Sequence, residues 1–119
     1  MNLFQLGSFN LHAGGVSGYK IECDALEQSD WVTLAKIVAD RFQFTHAIGI
    51  PRGGLQFADA LNMYKSEVAP HALLVDDVFT TGASMEEFRA KTDVPVYGVV
   101  VFARAPTPDW IHPIFQMWD

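Results

Sequence analysis

Residues 73–84 read LLVDDVFTTGAS. An apolar run meets two adjacent acids, Asp76 and Asp77, and then a turn of Thr80, Thr81, Gly82, Ala83 and Ser84. The run is short and rich in branched residues, the pattern of a strand buried on both faces. Paired carboxylates at the end of such a strand raise each other's pKa and cost free energy. A positive or hydroxyl-rich ligand beside them offsets that cost. The turn that follows has the opposite preference. The first N–H groups of a helix lack internal partners, and with the helix dipole they favour an anion. The threonine and serine hydroxyls add donors, and Gly82 lets the backbone approach closely. Hydroxyls toward the acids and a phosphate in the turn describe a ribose 5-phosphate. The alternative is a strand end with solvated acids and an ordinary capped helix.

Working outward, residues 46–50 (HAIGI), 72–76 (ALLVD) and 96–102 (VYGVVVF) read as buried strands. Between them lie helical patterns. Residues 30–42 set Leu34, Val38 and Phe42 near helical spacing behind Ser29 or Asp30 as N-cap. Residues 55–64 put Leu55, Ala58, Leu61 and Tyr64 on one face, and residues 84–91 begin acidic and end basic. Helices alternating with buried strands predict an α/β fold with an open, mainly parallel sheet flanked by helices. The first 26 residues suggest one or two strands with a loop, and the tail after Ala105, with three prolines, reads as irregular. In open parallel sheets ligands bind beyond the carboxyl ends of the strands. Both IPRGG (50–54) and the acid-and-turn stretch fall on that rim.

The chain has 119 residues, enough for one core, and reads as one domain over residues 1–119. Half of it is hydrophobic, which argues against disorder, and the net charge of −6 argues against a nucleic-acid partner. Cys23 is the lone cysteine, so no internal disulfide forms. No signal-like start or membrane-length apolar run is present, so a soluble cytoplasmic protein without a membrane partner is expected. His46, His71 and His112 with Cys23 lack the spacing of a zinc site.

LLVDDVFTTGAS resembles the phosphoribosyl pyrophosphate (PRPP) motif of type I phosphoribosyltransferases. GIPRGG (49–54) resembles that family's pyrophosphate loop, and FNLHAGGVSGY (9–19) resembles a segment near the start of orotate phosphoribosyltransferases. VVVFARA (99–105) looks like the strand whose end carries an arginine near the base in the orotate enzymes. Together the resemblance covers residues 9–105 and implies a Rossmann-like core. It implies transfer of ribose 5-phosphate between PRPP and a nitrogenous base, with Mg²⁺ neutralising pyrophosphate.

On this resemblance Asp76, Asp77 and Arg52 are the catalytic candidates, with both acids toward the metal, directly or indirectly. Thr80, Thr81, Gly82, Ala83 and Ser84 take the 5-phosphate. Arg52, Gly53 and Gly54 take pyrophosphate. His12, Tyr19, Lys20, Arg104 and Trp110 are candidates for the base; loop, core or sheet-edge roles are the alternatives for these five. A homodimer is expected, because the strand at 46–50 lies near a sheet edge and the aromatic tail WIHPIFQMW (110–118) offers an apolar surface.

The chain departs from the family in one large feature. KSEVAPH (65–71) passes from the second helix almost directly into ALLVDD, leaving no room for the usual extra strand and mobile catalytic loop. Such a loop excludes water from the activated sugar. His12 and Ala13 also stand where the orotate enzymes have lysine and serine. A PRPP- or nucleotide-binding regulatory protein is therefore the second reading.

Overall fold

The computed structural model describes residues 1–10 and 15–118. An antiparallel hairpin opens the chain: β1 (Phe4–Asn10) pairs with β2 (Val16–Ile21), Phe4 opposite Ile21 and Asn10 opposite Val16. A 3₁₀ turn (Cys23–Ala25) leads to α1 (Gln28–Ala39). Then follow β3 (Ala47–Gly49), α2 (Leu55–Leu61) with a 3₁₀ turn (Asn62–Tyr64), β4 (Ala72–Phe79), α3 (Ala83–Ala90), β5 (Val96–Ala103) and β6 (Ile111–Gln116). The main sheet has the order β3-β4-β5-β6, and every pairing is parallel.

Alternation along β4 and β5 sorts the core into two layers. Leu73, Val75, Val99 and Val101 meet α1 and α2 through Trp31, Leu34, Val38, Phe57 and Leu61. Leu74 and Val100 meet Met85 of α3 on the other face, with Phe79, Ala103 and Ile111. Strands buried on both faces read as continuous apolar runs, as these do. The expected edge position of the strand at 46–50 is found in β3.

Four local readings are corrected. The N-cap of α1 is Glu27, not Ser29 or Asp30; Asp30 instead stands at the third helical position, where its Oδ2 accepts the Glu27 N–H at 2.8 Å. The helix ends at Ala39, so Phe42 lies beyond it and packs against Tyr97 and His112. The α2 helix proper stops at Leu61 and tightens to a 3₁₀ turn, and Leu55 is exposed rather than core-facing.

The fourth correction is the largest: the tail is not irregular. Ile111–Gln116 forms β6, from Ile111 opposite Gly98 to Gln116 opposite Ala103. The connection, residues 104–110, contains no helix. Extended chain covers about 3.3–3.6 Å per residue, so these residues suffice to retrace the strand. The connection runs over the α3 face, where Ala105 and Trp110 pack. Proline is compatible with this because Pro113 lies on an edge strand.

Candidate functional site

The strand that carries the acids is longer than its apolar run. β4 continues through Asp76 and Asp77 to Phe79, with Asp76 opposite Val100 and Phe79 opposite Ala103. Asp76 Oδ1 accepts the Asp77 N–H at 2.8 Å, and Asp77 Oδ1 accepts the Val78 N–H at 2.7 Å. Burial, and then the hydrogen bond and charge of Asp77, push the Asp76 carboxyl from the ordinary 3.8 up to about 8. The sequence-level conflict between neighbouring acids is thus present in the fold.

The hydroxyl-rich turn follows at the start of α3. Gly82 caps the helix with φ 81°, and a Cβ there would stand 2.6 Å from the Phe79 ring. Both conditions favour glycine. Thr81 Oγ1 accepts the Ala83 N–H at 3.3 Å, which takes one donor out of use. The N–H groups of Thr81, Gly82 and Ser84 have no acceptor among the described residues. A cleft of about 350 Å³ lies here, bounded by Asp76, Phe79 and the whole turn from Thr80 to Ser84.

The Pro-Arg-Gly-Gly loop stands between β3 and α2, with a cis peptide bond between Pro51 and Arg52. Its glycines are required by close packing on β4. A Cβ on Gly53 would meet the Asp77 carboxylate, and one on Gly54 would meet the Val75 carbonyl and lie 2.7 Å from the Ile50 nitrogen. Gly54 also donates its N–H to Ile50 O at 2.8 Å. Arg52 is exposed. It lines a second cleft of about 490 Å³ with Gly53, Asp77, Glu22, Asp24 and Trp31. Cys23 belongs to the same wall; burial, and then the nearby Asp77 charge, push its thiol up to about 12, so it is neutral.

The hairpin supplies the third wall. The Arg104 guanidinium lies 3.9 Å from the Tyr19 ring centre, donates to Ser17 Oγ at 2.5 Å and to Tyr19 O at 3.3 Å. The Arg104 N–H reaches Phe79 O at 2.9 Å, so this residue ties the hairpin to the ends of β4 and β5. Lys20 pairs with Glu22 at 2.9 Å, which holds the Glu22 carboxyl below the usual range. A third cleft, of about 520 Å³, is bounded by Tyr19, Lys20, Arg104, Asp77 and Thr80.

The three clefts share walls. Asp77 borders the second and third, and Thr80 borders the first and third. The fold therefore brings Arg52, Gly53, Asp76, Asp77, Thr80–Ser84, Tyr19, Lys20 and Arg104 to one rim. Gly54 supports that rim from beneath. Trp110 is not brought there. It precedes β6 at the opposite end of the strands, where its indole N–H donates to Glu86 at 2.9 Å and Arg89 lies 4.4 Å over its ring. The expectation that Trp110 touches a base is corrected on that geometry. His12 lies outside the described residues. A larger groove of about 600 Å³ between Phe4, Phe102 and Phe115 contains no ionisable side chain and stands at the β6 edge, apart from these acids.

Ser17, Glu22, Cys23, Asp24 and Trp31 also contribute, and sequence reasoning did not place them at the site. Ser17 and Arg104 are 87 residues apart, and no local pattern links them. Trp31 had the plainest signal, since it stands three residues before Leu34 on the apolar helix face.

No three His, Cys, Asp or Glu side chains among the described residues are grouped to hold a metal. The donor chemistry still fits magnesium. This ion is held by one or two carboxylates plus waters and substrate phosphates. Asp76 and Asp77 are adjacent acids, and a cation beside them would favour the ionised form of Asp76 that burial and Asp77 disfavour.

No family profile matches the chain, and no curated protein matches its sequence. Solved structures match it closely in shape. Orotate phosphoribosyltransferase from Aeropyrum pernix is similar with a TM-score of 0.74 at 20% identity, over 97% of this chain and 89% of that one. UMP synthase from Leishmania donovani matches 97% of this chain and 33% of its own at 16% identity, TM-score 0.72. A phosphoribosyltransferase from Corynebacterium diphtheriae matches 94% of this chain and 89% of its own at 14% identity, TM-score 0.64. The chain thus has the α/β fold of the orotate phosphoribosyltransferases, with α2 joined to β4 through a short segment.

Proposed function

We propose that this protein binds PRPP and transfers its ribose 5-phosphate to a nitrogenous base, releasing pyrophosphate. The observation that carries this reading is the meeting of three clefts at Asp77 and Thr80, each with walls suited to one part of the substrates. The 5-phosphate takes the N–H groups and hydroxyls of Thr80–Ser84. Ribose hydroxyls donate to Asp76 and Asp77. Pyrophosphate takes the Arg52 guanidinium and the open backbone of Gly53. The base lies between the hairpin and Arg104, against Tyr19 and Lys20.

In the transfer, the bond from ribose C1 to the pyrophosphate oxygen breaks, and its electron pair leaves with pyrophosphate. A ring nitrogen of the base forms the new bond to C1, and any proton it carries passes to solvent. Positive charge gathers on the ribose ring, where the Asp77 carboxylate stabilises it; Asp76, protonated below about pH 8 in the free protein, adds to this once the approaching positive charge draws off its proton. Negative charge gathers on the leaving group, where Arg52 stabilises it. Mg²⁺, held through Asp76 or Asp77 and water, would supply further neutralisation of pyrophosphate. Tyr19 and Arg104 present a flat, partly cationic wall that orients a planar base.

A screen of bases with PRPP and Mg²⁺, reading pyrophosphate release and nucleotide formation, tests the proposal. The short connection from Tyr64 to Ala72 favours a second reading, a PRPP- or nucleotide-binding regulator. Without a covering segment there, water competes for the activated sugar. PRPP binding without transfer to any base would support that reading. Two edge strands, β3 and β6, suit a homodimer, and a monomer mass by light scattering over a wide concentration range would reject it. No described helix is long and apolar enough to cross a membrane, and the lone thiol of Cys23 and the substrate class suit the cytoplasm.

A further inference from the structure

The two outer strands of the main sheet are finished differently. In β3, Leu73 N–H donates to His46 O at 2.9 Å, so by the alternation of a parallel ladder Ala47 turns its peptide groups away from β4. Asn62 closes that edge. Its Oδ1 accepts the Ala47 N–H at 2.8 Å, and its Nδ2 donates to Ala47 O at 3.0 Å. One side-chain amide thus takes the place of a neighbouring strand.

At the other edge, β6 pairs only with β5 among the described residues. Gly98 N–H donates to Trp110 O at 2.8 Å, so Trp110, His112 and Ile114 turn their peptide groups to β5, while Ile111, Pro113 and Phe115 turn theirs outward. Ile111 N–H is spent on Pro108 O, and Pro113 has none to give. The outward edge therefore offers the Phe115 N–H and the Pro113 carbonyl. Open edges are commonly guarded by charge, yet β6 (IHPIFQ) has no Asp, Glu, Lys or Arg. Beside it lies the 600 Å³ groove lined by Leu3, Phe4, Phe102, Phe115 and Met117. Phe4 and Phe115 keep 50% and 44% of their surface exposed there.

We propose that a second copy of this chain pairs along β6, antiparallel and about a two-fold axis near Ile114. The inference gives the expected homodimer its surface and is independent of the transfer chemistry. Two features favour a second copy as the occupant. With Pro113 opposite the partner copy's Phe115, each Phe115 N–H meets a Pro113 carbonyl, so the edge complements itself and the missing proline N–H leaves no gap. The chain also has a net charge of −6, and copies meeting at a patch without ionisable groups avoid setting like charges face to face. The exposed Phe4 and Phe115 rings of the two copies are then buried together beside the new strand pair.

Sedimentation equilibrium of the parent and of Phe115→Glu gives the first measurement. The parent should reach twice the chain mass. A pair of glutamates facing each other at the centre of the contact should weaken association about thirtyfold or more. The second measurement leaves the sequence unaltered. Amide exchange at Phe115 should slow as protein concentration rises, while exchange at Ala47, already bonded to Asn62, should not depend on concentration. A folded Phe115→Glu that associates as tightly as the parent overturns this inference alone, and so does a dimer in which Phe115 gains no protection. If Phe115→Glu does not fold, the exchange result decides. A parent that stays monomeric over a wide concentration range overturns the homodimer and this inference together.

Discussion

The Asp77 carboxylate rests against the bare Cα of Gly53: a Cβ built there would lie 2.5 Å from both Cγ and Oδ1 of the acid. The loop proposed for pyrophosphate and the strand proposed for ribose are therefore in direct contact. Gly53→Ala must move one of them. Overpacking at such a contact costs about 1–3 kcal/mol of stability. We expect a fall of that size in urea unfolding, with weaker binding of magnesium pyrophosphate by calorimetry. A variant equal to the parent in both would show that the loop shifts freely.

Replacing Asp76 and Asp77 together by asparagine removes one charge conflict and leaves hydrogen-bonding capacity. Stability should hold or rise, while PRPP affinity in the presence of Mg²⁺ falls. Binding as tight as in the parent, measured by calorimetry, would reject the ribose assignment.

Asp76 also sets a pH dependence. Its folded pKa of about 8 stands above the ordinary 3.8, so between these values the folded protein keeps a proton that the unfolded chain has released. Stability must then decline as pH rises through that interval, and the decline ends once pH passes the folded value. Thermal unfolding from about pH 5 to about pH 9 should show Tm falling more steeply in the parent than in Asp76→Asn. Parallel curves would mean that Asp76 ionises normally.

Arg104 joins the hairpin to the sheet through Tyr19 and Ser17. Arg104→Leu keeps apolar bulk but removes the stacked cation and both donated bonds, a loss of about 1–3 kcal/mol. Amide exchange in β1 and β2 should accelerate while β4 and β5 remain protected. Unchanged exchange in the hairpin would show that contacts such as Phe4 on Phe102 hold it unaided.

Truncation after Ala105 removes β6 and exposes the β5 edge, including Val99 and Val100 beside it. We expect insoluble or aggregated protein rather than a folded chain with altered chemistry. A soluble monomer with the parent's circular dichroism would show β6 to be dispensable.

Local signals in this chain were strong where one segment answers to its own chemistry. The apolar runs of β3, β4 and β5, the helical spacing between them, the acid pair and the turn at Thr80–Ser84 were all legible, because burial on two faces and helix-start donors leave marks within a dozen residues. Tertiary structure decided what depends on distant partners. Strand formation at Ile111–Gln116 needs the β5 edge beside it, which outweighs the proline signal. Trp110 had an aromatic character suited to a base, but the strand register put it at the far end of the sheet beside Arg89 and Glu86. The wall made by Ser17, Tyr19 and Arg104 joins residues more than 80 positions apart, and Gly53, in a loop, is glycine because of an acid on β4. Such contacts arise when the chain closes on itself, so no single stretch of sequence records them.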